Sequence, residues 1–75
     1  MNYSVDVVEL RKAMIDAKID TIAALSEKSG VNRNTIGDIL NGKIRPSGTV
    51  IEKIAKALSL DGAQIGRIFF KEELA

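Results

Sequence analysis

The chain has 75 residues, 11 of them basic and 10 acidic, for a net charge of +1. It holds no cysteine and no histidine, which excludes a disulfide frame, a thiol nucleophile, a Ser–His triad and nearly every zinc or iron site. With 45% apolar residues, six glycines and one proline, residues 1–75 suffice for one small folded domain and are too few for two.

What remains for catalysis is carboxylates and lysines on a chain with little room for a pocket. A binding protein is therefore expected rather than an enzyme, with no cofactor, no metal and no small-molecule substrate. No apolar run approaches the ~20 residues of a membrane span. The N-terminus lacks the basic-then-apolar pattern of a secretory signal, so the expected location is cytoplasmic.

The charge is unevenly placed. Between Lys28 and Lys56 lie six basic and two acidic residues, whereas the flanks carry five basic and eight acidic ones. A basic centre between acidic ends suits a small polyanion-binding face. The same split also occurs on ordinary solvated surfaces.

Taken in order, the apolar residues recur at helical spacing. Val7, Leu10, Met14 and Ala17 form one stripe, which predicts a first helix from about Val5 to Lys18. Asp6 and Glu9 lie early in it and Arg11, Lys12 and Lys18 late, as the helix dipole favours. Asp20 or Thr21 can cap a second helix running to about Ser29, with Ile22, Leu25 and Ser29 on its inner side. Gly30 suits a left-handed turn. Asn32 can cap a third helix, Arg33 to Leu40, whose apolar side is Ile36, Ile39 and Leu40. Asn41-Gly42 ends it.

A loop from Lys43 to Gly48 carries Pro46. Ser47 or Thr49 then opens a fourth helix to about Ser59, with a stripe of Val50, Ile51, Ile54, Ala57 and Leu58. Asp61 can cap a fifth, running from Gly62 to about Glu73. The expected architecture is all-α, a compact arrangement of five short helices.

The segment from about residue 21 to 41 is the most informative. Two short helices that cross steeply need a small residue at the crossing, here Ser26, and a glycine or equivalent at the corner, here Gly30. Leu25, Val31, Ile36 and Ile39 supply the apolar interior. Ser29 departs from it, being polar where an apolar residue is expected. The pattern is that of a helix-turn-helix.

Gly30-Val31-Asn32-Arg33-Asn34-Thr35-Ile36-Gly37-Asp38-Ile39-Leu40-Asn41-Gly42-Lys43 resembles the signature of the lambda-repressor-like, Cro-type helix-turn-helix proteins. Pro46-Ser47 followed by Ile54-Ala55-Lys56-Ala57-Leu58 resembles that family's fourth helix. The resemblance runs from about Val5 to Phe69. It implies a five-helix domain that binds double-stranded operator DNA, usually as a homodimer. The short chain looks more like a phage Cro than a full repressor, which places it in the cytosol of a bacterial host. Some small Cro-like proteins of lysis–lysogeny switches are instead modulators of repression, which act by binding a phage repressor protein. A toxin encoded next door would point to an antitoxin.

Docking as the resemblance implies, the helix after Gly30 enters the major groove with its first turn toward base edges. Arg33 can pair bidentately with guanine O6 and N7. Asn34 can pair with adenine or hold a phosphate. Asp38 can accept from a cytosine amino group or orient Arg33. Thr35 can touch the backbone or a thymine methyl. Asn32, Asn41, Lys43, Arg45 and, more weakly, Lys28 are candidates for phosphate contacts.

Two residues depart from the family pattern. Gly37 lies inside the recognition helix, where it either weakens the helix by about 1 kcal/mol or permits a close approach. Leu40 stands where a polar residue is usual, and either buries additional area or adds to an apolar surface. In the fifth helix Ile65, Ile68 and Phe69 are spaced to close the core. Phe70 and Leu74, together with Gly66, are the expected contact surface for a second protein chain.

Overall fold

The computed structural model describes residues 2–73. Its elements run β1 (Tyr3–Ser4), α1 (Val7–Asp16), α2 (Ile22–Ser29), α3 (Arg33–Leu40), α4 (Gly48–Ala57), α5 (Gly62–Phe69) and β2 (Lys71–Glu72).

Each helix starts where a short polar side chain can accept a backbone N–H. Asp6 accepts from Glu9 at 3.1 Å, Thr21 from Ala24 at 3.0 Å, Asn32 from Asn34 at 2.7 Å and Ser47 from Val50 at 3.3 Å. Asp61 does the same for Gln64 at 2.8 Å, and the Gln64 side chain accepts from the Asp61 N–H at 3.0 Å, completing a capping box. Caps of this kind contribute about 0.5–2 kcal/mol each. They decide between the alternatives in the sequence: Thr21 caps α2 rather than Asp20, and Ser47 caps α4 rather than Thr49.

The ends are equally local. α1, α3 and α4 close with paired bonds from the two residues after the cap back into the last turn. For α3 these are Gly42 N–H to Ile39 O at 3.1 Å and Lys43 N–H to Asp38 O at 2.8 Å. The arrangement needs one left-handed residue. Gly42 takes it at φ 71° in α3, whereas Lys18 (φ 59°) and Ser59 (φ 54°) take it in α1 and α4.

The apolar stripes meet in one core. Leu25 and Ile54 are fully buried, and Leu10, Met14, Val31, Ile36, Ile39, Leu40, Ile68 and Phe69 surround them. Burial of side chains this size stabilises by about 1.5–3 kcal/mol each relative to exposure. Leu40 therefore adds to the core and not to the surface. Ile22 does not line the inner side of α2 as its spacing suggested. It is the first residue of the helix and remains 39% exposed.

The fifth helix is shorter than the sequence suggested. It stops at Phe69, and Phe70 leaves the helical region at φ −129°. The chain continues as β2, antiparallel to β1, pairing Tyr3 with Glu72 and Ser4 with Lys71. A further bond runs from Glu73 N–H to Asn2 O at 3.0 Å. The five helices still define an all-α fold, and the ribbon is an addition that ties the two ends of the chain together. The Lys71 ammonium lies 3.8 Å from the Asp6 carboxylate, and Asp6 N–H donates to Ile68 O at 2.7 Å, so α1 and α5 are joined at the same place.

Candidate nucleic-acid interface

The corner between α2 and α3 is built from two hydroxyls and a glycine. Gly30 sits at φ 77°, a conformation that costs other residues energy, and its N–H donates to Ser26 O at 2.8 Å. The Ser26 hydroxyl donates across the corner to Val31 O at 2.6 Å. The Ser29 hydroxyl donates to Leu25 O at 2.6 Å and accepts from Val31 N–H at 3.1 Å. Ser29 thus satisfies a backbone N–H that the turn would otherwise leave without an acceptor. That accounts for a polar residue at a position where an apolar one was expected.

The corner fixes which side of α3 faces out. Ile36, Ile39 and Leu40 are buried, together with Val31 ahead of them. Arg33 and Asn34 are exposed, and Thr35, Gly37 and Asp38 are half-buried. Among the described residues no carboxylate lies within ion-pair distance of Arg33. The guanidinium fork is therefore available to a partner.

The suggestion that Asp38 orients Arg33 is not met. Residues five apart on an α-helix point about 140° away from each other, and no ion pair joins these two. The helical neighbour of Asp38 is Asn34, four residues back. Asn32 uses its Oδ1 to cap α3, which leaves its NH₂ group as the end able to donate to a phosphate.

Beyond α3, Asn41, Lys43 and Arg45 are all exposed. Lys43 and Arg45 line a cleft of about 210 Å³ whose other wall is Tyr3, Ser4 and Val5. Lys28 is not part of this group. It lines separate clefts with Asp16, Ala17 and Ile19, next to the end of α1.

Of the residues expected to meet a second chain, Phe70 is 49% exposed and packs edge-to-face on Tyr3, with ring centroids 6.0 Å apart. Phe70 also borders an apolar groove between α4 and α5, with Ile51, Leu60 and Ile65. Gly66 is half-buried. Leu74 lies outside the described residues. α5 ends at Phe69, so Phe70 lies past the helix as its C-cap.

Sequence reasoning missed the strand β1, and with it the place of Ser4 beside Lys43 and Arg45, and the surface position of Ile22. A strand of two residues leaves no periodic signal. Ile22 was legible only as the leading residue of a helix, where the inward stripe has barely begun.

With the geometry of the motif established, comparison with known proteins identifies its class. Residues 9–67 match the family of Cro/C1-type HTH DNA-binding domains, and the chain belongs to that family. It is a DNA-binding regulator whose partner is double-stranded DNA. No curated protein and no solved structure matches it. Among the described residues no helix is long and apolar enough to cross a membrane.

Proposed function

We propose that the chain is a sequence-specific transcriptional regulator of the phage Cro type, acting in the cytosol of a bacterial host. α3 lies in the major groove of its operator. Arg33 and Asn34 read base edges, Thr35 and Asp38 contribute beside them, and Asn32, Asn41, Lys43 and Arg45 hold the backbone. The observation that carries this reading is the division of α3 along its length: Arg33 and Asn34 stand exposed in its first turn, ahead of Ile36, Ile39 and Leu40, which lock the helix into the core. A module this small buries little surface on DNA, so it works as a homodimer on two half-sites.

The test is a gel shift on a duplex selected from a random pool. Arg33→Ala weakens binding by about 1–3 kcal/mol and relaxes preference at one base position. Equal binding of selected and random duplexes by the wild-type chain would remove the sequence-specific reading.

One observation favours a second reading, in which the same fold captures a phage repressor protein and relieves repression. Ile22 is exposed at the start of α2, and a Cβ built on Gly37 would lie 3.9 Å from its Cδ1. This puts an apolar spot against Gly37, one helical turn along α3 from Arg33. Such a spot suits a protein surface better than a phosphate chain. Under that reading Ile22→Asp abolishes co-purification with the repressor, and the chain alone binds DNA poorly.

A further inference from the structure

We propose that the N-terminal strand forms half of a site for one phosphate of the DNA backbone, with the Ser4 hydroxyl facing Lys43 and Arg45 across the cleft at the end of α3. The inference rests on the DNA reading above and adds to it a part of the chain outside the helix-turn-helix.

Three observations converge. First, Ser4, Lys43 and Arg45 line one cleft of 210 Å³, a size suited to a phosphate group rather than a large ligand. Second, among the described residues no carboxylate pairs with Lys43 or Arg45, and none offers the Ser4 hydroxyl a hydrogen-bond partner. The cleft therefore presents two cations and a hydroxyl donor. This is a donor set for an oxyanion: charge from the lysine and arginine, and a short directional bond from the serine.

Third, both walls are held in place. The Lys43 side is fixed by the closing bonds of α3, through Gly42 at φ 71° and the Lys43 N–H to Asp38 O bond of 2.8 Å. The Ser4 side is fixed by pairing with Lys71 in β2 and by the Tyr3–Phe70 ring contact. The cleft begins directly after the recognition helix. A helix whose first turn enters the groove brings its far end and the following loop over the sugar–phosphate chain. A phosphodiester oxygen is the oxyanion that docking would place there.

The experiment uses the full chain, the selected duplex and a random-sequence duplex, with circular dichroism to establish that each variant is folded. Ser4→Ala weakens binding to both duplexes by the same factor, about two- to tenfold. Ser4→Asp weakens both further by placing a carboxylate against the phosphate, and Ser4→Thr retains wild-type affinity. Lys43→Gln and Arg45→Gln each lower the slope of log K against log salt by about one unit.

Inorganic phosphate, at ionic strength matched with chloride, competes no better than chloride. Phosphate competition well above chloride would instead make the cleft a site for a free anion and overturn the proposal. Wild-type affinity in both Ser4→Ala and Ser4→Asp, with Lys43→Gln and Arg45→Gln weakened, overturns the proposal and leaves the DNA reading intact. A wild-type chain that binds neither duplex overturns the DNA reading and this site with it.

Discussion

The Ser29 hydroxyl accepts the Val31 N–H at 3.1 Å while donating to Leu25 O at 2.6 Å, so one side chain bridges the last turn of α2 and the first residue beyond the glycine corner. Replacing it with a methyl group leaves a partly buried N–H without its acceptor. Ser29→Ala should destabilise the fold by about 1–2 kcal/mol, read as a lower urea midpoint at unchanged m-value. An unchanged midpoint would mean that water replaces the hydroxyl at no cost.

Gly37 gives a prediction of opposite sign. Within α3 it weakens the helix, and an added Cβ would meet only Ile22 Cδ1 at 3.9 Å, an ordinary contact. Gly37→Ala should therefore stabilise the protein by about 0.5–1 kcal/mol, seen as a raised Tm. If DNA affinity falls while Tm rises, the bare glycine surface is needed for a close approach of the partner. A lower Tm would show that the helix does not tolerate even this contact.

The ends of α1 and α4 offer a further gain. Lys18 and Ser59 hold left-handed conformations, at φ 59° and 54°, where a Cβ is unfavourable. Ser59→Gly relieves this strain, and the greater freedom of glycine in the unfolded chain offsets part of the gain. A net stabilisation of about 0.5 kcal/mol is expected by chemical denaturation. Gly30→Ala is the matching loss, since Gly30 carries φ 77° at the corner itself. If Ser59→Gly destabilises instead, the serine side chain makes a contribution that outweighs its backbone strain.

What could be read from the sequence was local. The caps at Asp6, Thr21, Asn32, Ser47 and Asp61 act on N–H groups two or three residues away, so residue type and position suffice to find them. The outward side of α3 followed from its complement: Ile36, Ile39 and Leu40 turn inward, which sends Asn34 outward, whereas Arg33 is exposed as the leading residue of the helix. The terminal ribbon was not legible. Tyr3–Ser4 and Lys71–Glu72 lie at opposite ends of the chain and have two residues each, too few to alternate. No glycine or proline follows Phe69 to mark the end of α5, and the strand pairing that competes with further helix is a long-range effect. The cleft beside Ser4 was hidden for the same reason.

The five candidates for phosphate contact are not equivalent in space, and their salt dependence should separate them. Lys43 lies in the loop that follows α3, and Arg45 lines the same cleft. Lys28 borders clefts near the end of α1, shared with the acidic side chains of Asp16 and Glu27. A cation that meets a phosphate releases a counterion on binding, and one that does not leaves the salt slope untouched. Lys28→Gln should leave the slope of log K against log salt near the wild-type value, whereas Lys43→Gln should lower it by about one unit. Asn41→Ala and Asn32→Ala remove neutral donors, so they should weaken binding at every salt concentration without changing the slope. An equal drop in slope for Lys28→Gln and Lys43→Gln would mean that the DNA wraps past the end of α2 toward α1, and the docking derived from α3 alone would have to be tilted to match.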